Sequence, residues 1–226
     1  MTTTNQHPAT VPVASPTGVT HHPSPIINIG RQLGSGGHDI GHLLAERFNA
    51  QYFDREILNL AARESGLSER FLEQNDESKS FLRTFLHIPG GLASTMGVTS
   101  RQGFSEDSFF QLQSDAIRHA AEEGPCVFVG RCADYVLRDI PTCVNIFVTA
   151  PLAFRIDRVA QQHQCTPDEA RRIIEKGESR RAAYYNYYTG KHWGQASEYH
   201  LCIDSSKLGI EDTARFIAEF IEKGKL

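Results

Sequence analysis

The chain has 226 residues, of which 40% are hydrophobic and 22% are charged, and its formal net charge is -4. This composition is typical of a globular domain, and the acidic balance argues against a protein that holds nucleic acid through a general positive field. The sequence contains no run of about 18 apolar residues, so we predict no membrane span. It does not start with charged residues followed by an apolar run, so we predict no signal peptide. The five cysteines lack metal-ligand spacing, so we expect reduced thiols in a cytoplasmic protein.

The predicted elements alternate between strand and helix from Pro25 onwards. The preceding residues, 1–24, show no periodicity and predict a disordered tail, so the folded domain covers residues 25–226. In the first half of this domain we predict a strand at Ile26–Ile29, a glycine-rich loop at Gly30–Gly37, a helix at Asp39–Phe48, a strand at Gln51–Phe53, and helices at Glu56–Arg63 and from Ser68. The stretch from about Ser78 to Glu106 is irregular, which predicts an insertion or mobile subdomain.

The second half of the domain continues the alternation and ends in an amphipathic helix. Its predicted strands are Cys126–Val129, Val144–Val148 and Tyr199–Ile203. Its predicted helices are Asp107–Glu122, Ala133–Leu137, Pro151–His163, one from Thr166 to about Tyr185, and Gly209–Glu222. Thr166, Pro167 and Glu169 form the pattern of a capping box with proline at the first helical position. Because parallel strands need crossover connections, the alternation predicts an α/β fold with a parallel sheet covered on both faces.

The glycine-rich loop lies between the first strand and the first helix, at the edge where parallel sheets bind ligands. Gly34, Gly36 and Gly37 allow positive φ angles and let backbone N–H groups point towards a phosphate at the helix N-terminus. The spacing departs from the G-x-x-x-x-G-K-[ST] pattern, because Gly37 stands where the lysine belongs and His38 where the hydroxyl residue belongs. Arg31 is a candidate to supply the missing charge, and a purely structural glycine turn is the alternative.

Basic and aromatic residues are interleaved between Glu178 and Gly194. Arg180 and Arg181 can each donate two parallel hydrogen bonds to a phosphate, and arginines on a closing lid would stabilise a transferring phosphoryl group. The alternative is a solvated helix end whose tyrosines pack on the core; these are Tyr184, Tyr185, Tyr187 and Tyr188. A stacking surface for nucleic acid is disfavoured by the acidic balance of the chain.

Several segments together resemble the cytidylate kinase-like family, from about Pro25 to Lys223. They are Gly34–Gly37 with Ile40-Gly41, Tyr52–Leu58, Val129–Tyr135, Tyr184–Gly190 with Trp193-Gly194, and Ser206–Ile210. The resemblance implies a three-layer P-loop kinase fold with a five-stranded parallel sheet, an insertion that binds the nucleoside monophosphate at about 55–122, and a lid at about 178–197. It also implies phosphoryl transfer from ATP, with Mg²⁺, to a nucleoside monophosphate, for which CMP or dCMP is expected.

The resemblance also implies roles for individual residues. Asp54 and Arg55 fall near the acceptor, Gly130 and Arg131 engage its phosphate and base, and Arg180 and Arg181 fall at the lid arginines. The expected ATP contacts are Arg31, Gly34, Ser35, Gly36, Gly37, His38 and Asp39, with Ser35 or Asp39 touching Mg²⁺ directly or through water. Since the acceptor is already an anion, Arg131, Arg180 and Arg181 would catalyse by positioning and charge neutralisation.

Three other functions stay open from the sequence. The first is a non-catalytic nucleotide-binding regulator that lost the loop lysine. The second is a kinase for another small phosphorylated acceptor, because the segment from Ser78 to Glu106 would shape the acceptor pocket. The third is an interaction module built on the tyrosine-rich segment. We expect no nucleic-acid or membrane partner, and the sequence does not give the oligomeric state.

Overall fold

The computed structural model describes residues 25–54 and 106–224. The predicted tail, Arg55 and the predictions for residues 56–105 lie outside these ranges. The described strands are β1 Ile26–Arg31, β2 Gln51–Phe53, β3 Cys126–Val129, β4 Cys143–Thr149 and β5 Leu201–Asp204. The described helices are α1 Gly37–Phe48, α2 Glu106–Glu123, α3 Ala133–Val136, α4 Leu152–His163, α5 Pro167–Thr189 and α6 Gly209–Lys223, with a 3-10 helix at Ala196–Glu198.

The strands form one parallel sheet in the order β2-β3-β1-β4-β5, which confirms the predicted five-stranded sheet. Strand β1 is central, with Ile27 opposite Val127 of β3 and Val144 of β4. The connection from β3 to β4 crosses over β1, so the loops that follow β1 and β3 leave the sheet side by side at its carboxyl edge. An open parallel sheet binds its ligands at such a crossover point.

Alternate residues along β1 face opposite helical layers, because successive side chains of a strand point to opposite faces. Ile27 and Ile29 pack with residues of α1 and α6, whereas Ile26 packs with residues of α2 and α3. Both clusters are fully apolar at their centres, as expected for strands buried on both sides. The predicted three-layer α/β architecture is therefore confirmed.

Some boundaries differ from the prediction for identifiable reasons. The predicted helix Asp107–Glu122 is one residue longer at each end, at Glu106–Glu123, and its Ile117 and Ala120 are buried against the sheet. Helix α5 continues past Tyr185 to Thr189 and ends at Gly190, which takes a left-handed φ of 68°. Strand β5 begins at Leu201, two residues later than predicted.

Helices α4 and α5 pack on each other beside the glycine-rich loop. Ile156 and Val159 of α4 contact Ala170 and Ile174 of α5, and Leu33 of the loop packs against this cluster. The predicted capping box at the start of α5 is present. The Glu169 backbone N–H donates to Thr166 Oγ1 at 3.3 Å, and the Thr166 N–H donates to Glu169 Oε2 at 2.8 Å. Among the residues described, no helix has the length and apolar character that crossing a bilayer requires.

Candidate active site

A cavity of about 620 Å³ opens at the carboxyl edge of the sheet, between the ends of β1 and β3 and helix α5. Residues predicted for the site contribute much of its lining: Arg31, His38, Asp54, Gly130, Arg131, Arg180 and Arg181. Four of these are arginines that come from three separate parts of the chain. A cavity of this size with several convergent positive groups suits a polyanionic ligand.

The glycine-rich loop delivers backbone donors beside this cavity. Gly34 and Gly36 take left-handed φ angles of 82° and 81°, and Gly36 is the N-cap of α1. The first helical hydrogen bond runs from Ile40 N–H to Gly36 O at 3.0 Å. The N–H groups of residues 37–39 therefore precede the helical hydrogen bonds, and they lie at the positive end of the helix dipole. This is the arrangement expected of a phosphate-binding loop.

Close packing also requires glycine at two positions of the loop. A Cβ on Gly34 would lie 2.7 Å from the backbone oxygen of Arg155, and a Cβ on Gly36 would collide with Ile210. The sequence-based alternative, a glycine turn with a structural purpose, thus describes part of what these residues do.

Ser35 is turned away from the cavity. It has no exposed surface, its hydroxyl donates to Gln32 O at 2.9 Å, and its own carbonyl accepts from Ser205 Oγ at 2.6 Å. A hydroxyl held in this way stabilises the loop from inside. The structure therefore disagrees with the expectation that Ser35 touches Mg²⁺.

Arg31 lies on the side of the loop that faces the end of β3. Its guanidinium packs against Gly130 at the end of β3, and its backbone oxygen accepts from Arg181 Nη1 at 3.1 Å. Burial lowers the pKa of Arg31, the neighbouring charge of Arg181 lowers it further, and Asp54 opposes the change. The lowered pKa of Arg31, about 9, still lies above neutral pH, so the side chain stays protonated there. It is a partly desolvated cation, which interacts strongly with an incoming anion.

Arg131 follows β3 on a turn of unusual backbone conformation. Gly130, Arg131 and Cys132 have φ angles of 84°, 60° and 57°, all in the left-handed region. The Arg131 guanidinium carbon lies 5.0 Å from the centre of the Tyr184 ring, over its face. The turn and the ring together direct this arginine towards the cavity.

Three tyrosines fix helix α5, which carries Arg180 and Arg181, to the rest of the domain. Tyr184 donates to Gln113 at 2.9 Å, Tyr185 to Asp134 at 2.6 Å, and Tyr188 to Asp107 at 3.3 Å. Burial raises the pKa of Asp134, although the hydrogen bond from Tyr185 opposes the change. These contacts agree with the alternative that the tyrosines of this segment pack on the domain, except for Tyr187, which is 72% exposed.

His38 lies between the glycine-rich loop and Asp54 at the end of β2. Its Nδ1 is 3.4 Å from Asp39 Oδ1, and its Nε2 is 3.6 Å from Asp54 Oδ2. The two carboxylates are oxygen ligands of the kind that Mg²⁺ prefers. In the ranges 25–54 and 106–224, no group of three His, Cys, Asp or Glu residues could hold a metal alone. This donor set fits Mg²⁺ that arrives with a nucleotide, because phosphates and water then supply most ligands.

Helix α4 contributes charged residues that the sequence analysis missed. Arg158 pairs with Asp39, and its guanidinium carbon lies 3.6 Å from the Cβ position of Gly36. Arg155 is buried and pairs with Glu178 at 2.7 Å, and Glu178 accepts from the Leu33 N–H at 3.3 Å. Arg158 therefore places a positive charge beside the phosphate-binding turn. Arg155 and Glu178 hold the backbone of the loop at Leu33.

The family model described as "Cytidylate kinase-like family" matches residues 26–207, which include every site residue named above except Ile210. The chain belongs to this family. The fold and the glycine loop agree with a P-loop kinase, so the family supports a kinase-type phosphotransferase that binds nucleotides.

Two curated relatives carry the name cytidylate kinase. The protein from Methanopyrus kandleri is 31% identical over 114 residues, and the protein from Staphylothermus marinus is 32% identical over 104 residues. Each match covers 46% of this chain and 58% of the relative, so it spans less than half of this chain and little more than half of the relative. An uncharacterized protein from Eubacterium ventriosum has a similar structure, with a TM-score of 0.68, 24% identity, and coverage of 88% of this chain and 99% of that one.

Proposed function

We propose that this protein transfers the γ-phosphoryl group of ATP to a nucleoside monophosphate, with CMP or dCMP as the acceptor. One observation carries the proposal: Arg31, Arg131, Arg180 and Arg181 line one cavity directly beside a phosphate-binding loop. A single phosphate does not need so many arginines, whereas a phosphoryl group passing between two phosphorylated ligands does. The family and its relatives named cytidylate kinase support the choice of acceptor.

The donor side is built from the loop and helix α4. Backbone N–H groups of Gly37, His38 and Asp39 would hold the ATP phosphates, with Arg158 adding positive charge above Gly36. Asp39 would hold Mg²⁺, directly or through water, since Ser35 is buried. The ion would neutralise charge on the β- and γ-phosphates.

The acceptor side is built from the ends of β2 and β3. Arg131 would bind the acceptor phosphate, Asp54 would contact the nucleoside, and Gly130 lets the ligand approach the backbone. Arg181 and Arg180 would contact the phosphoryl group between the two ligands. Because the acceptor oxygen is already anionic, these residues accelerate the transfer by alignment and electrostatic stabilisation, without a general base.

The proposed site of action is the cytoplasm, where ATP is available. The cysteines support it, because all five are free and three of them are buried. Free thiols persist in a reducing compartment.

The test is a turnover assay with Mg-ATP and a panel of nucleoside monophosphates and other phosphorylated acceptors. We expect ADP formation that depends on the acceptor and is fastest with CMP or dCMP. Arg131→Ala should reduce this turnover by roughly 10² to 10³, the usual cost of removing one charge-stabilising donor. The matched control is Arg138→Ala, because Arg138 is an exposed arginine outside the cavity.

Three outcomes would count against the proposal. The enzymatic function fails if no acceptor supports ADP formation while ATP still binds, which would favour a nucleotide-binding regulator. The acceptor assignment fails if another phosphorylated compound is used better than any nucleotide. The role proposed for Arg131 fails if Arg131→Ala has the same turnover as the Arg138→Ala control.

A further inference from the structure

The side chains at positions 31 and 37 compete for the same space beside the glycine loop. A Cβ on Gly37 would lie 2.5 Å from the Cβ of Arg31 and 2.9 Å from its Cγ. The Cβ of Arg31 is fixed by the backbone of strand β1, so it cannot turn aside as a flexible side-chain end would. The fold therefore accommodates a side chain at one of the two positions, not at both.

A second glycine keeps the path of Arg31 open. A Cβ on Gly130 would collide with Nη1 of Arg31, so a side chain at position 130 would displace the guanidinium. The arginine thus runs past Gly37 and ends against Gly130, at the cavity wall that also carries Arg131. Two glycines from distant parts of the chain clear space for one cation.

On the basis of the phosphoryl transfer proposed above, we propose that Arg31 is the catalytic cation that replaces a loop lysine. In the G-x-x-x-x-G-K-[ST] pattern the lysine at the position of Gly37 reaches the β- and γ-phosphates. Here the charge comes from the end of β1 instead of the helix N-terminus. Its planar fork can bind two phosphate oxygens at once, which an ammonium group cannot do. The absence of lysine at position 37 is then a steric consequence of Arg31.

The steric part of this inference can be tested without any activity. Gly37→Ala should lower the melting temperature by about 5 °C, because it overpacks the contact with Arg31. In an Arg31→Gly background the same substitution should leave the melting temperature unchanged, since the added methyl group has room. Arg31→Ala is the matched control background, because alanine keeps the Cβ that the methyl would meet. Equal losses in all three backgrounds would overturn the mutual exclusion of the two side chains.

The catalytic part is tested by removing the positive charge at position 31 and placing one at position 37. Arg31→Gly should reduce turnover by roughly 10² to 10³, and the double variant R31G/G37K should recover at least about tenfold of that loss. The control is R31G/G37Q, which restores a long side chain without the charge.

The outcomes of the experiment with the double variants distinguish this inference from the proposed function. If the wild-type protein is active but R31G/G37K and R31G/G37Q have equal rates, the catalytic role of Arg31 is overturned and the proposed function stands. A wild-type protein that neither binds nor uses ATP overturns the proposed function and the catalytic role together. The melting-temperature cycle then still decides whether positions 31 and 37 exclude each other.

Discussion

At the scale of single residues, the turn after β3 positions Arg131 in a backbone conformation that lowers the stability of the fold. Arg131 and Cys132 have consecutive left-handed φ angles of 60° and 57°, and non-glycine residues adopt this conformation at a cost of roughly 1–2 kcal/mol each. The conformation persists because Cys132 is buried and the Tyr185–Asp134 hydrogen bond fixes the following helix. Strain held in this way at a ligand cavity is typical of functional sites.

Replacing Arg131 by glycine or by alanine should separate this strain from the function. Both variants should lose acceptor use, since neither has a guanidinium. Arg131→Gly should be more stable than Arg131→Ala by about 1 kcal/mol, because glycine adopts a positive φ without steric cost. Urea denaturation of the two purified proteins measures the difference. At Arg138, whose φ is not positive, the order should reverse. A glycine variant at position 131 no more stable than its alanine counterpart would show that the turn is unstrained.

The cysteines should differ sharply in reactivity. Burial raises the pKa of Cys126 and of Cys132 to about 12, and that of Cys143 to about 11, so at pH 8 these thiols carry almost no thiolate. Cys202 is exposed and Cys165 is half-buried.

In the native protein at pH 8, a thiol reagent should therefore modify Cys202 first and Cys165 more slowly. The three buried thiols should react only after unfolding in denaturant, when all five become accessible. Peptide mass spectrometry of timed samples identifies the modified positions. Early modification of Cys132 would mean that the turn after β3 opens in the native protein.

At the scale of secondary-structure elements, helix α5 connects the parts of the site. Glu178 contacts the glycine loop, Arg180 and Arg181 line the cavity, and the following tyrosines bind α2 and α3. The capping box fixes where this helix begins, and Gly190 fixes where it ends.

Removing the cap should destabilise α5 without touching the cavity. Thr166→Ala deletes the oxygen that accepts from the Glu169 N–H, and we expect a loss of about 1 kcal/mol in unfolding free energy. Thr166→Ser keeps the acceptor and should lose much less. Chemical denaturation gives both values. Equal losses in the two variants would assign the effect to the lost methyl group of threonine instead of the cap.

The sequence predicted the elements well because their determinants are local. The apolar β-branched run Ile26–Ile29 and the capping pattern at Thr166 each act within a few residues. The last turn of α5 was missed although its stop signal, Gly190, is in the sequence. The start of β5 was missed because a 3-10 helix at Ala196–Glu198 precedes it, and the Tyr199 N–H donates to Ala196 O instead of to the sheet.

The arrangement of the site was less predictable because it depends on contacts between distant residues. The family resemblance identified several of the residues that line the cavity, but no local pattern pairs Arg158 with Asp39, which are 119 positions apart. The direction of the Ser35 hydroxyl depends on Gln32 and on the packing below the loop. The conflict between Arg31 and Gly37 is invisible until the backbone geometry is known.

At the scale of the whole molecule, the sheet order brings the loops that line the cavity to one edge of the sheet. The loops after β1 and β3 are far apart in the sequence, yet they flank the same cavity because β1 and β3 are neighbours. Ligands that bind both loops would therefore tie together elements from both halves of the domain. Such binding stabilises the folded state by mass action, because the unfolded chain has no site.

Thermal unfolding with ligands should reveal this coupling. With ATP and CMP each at about 100 times its dissociation constant, the folded state gains about 2.7 kcal/mol from each ligand, or roughly 5–10 °C in melting temperature. The two together should shift it by more than the sum of the separate shifts, because in the proposed site Arg180 and Arg181 would contact both ligands. The variant R180A/R181A should lose that excess. R171A/R172A is the control, because this pair is exposed on the same helix and outside the cavity. Additive shifts in the wild type, or the same loss in both double variants, would show that the arginines of α5 do not bridge the ligands.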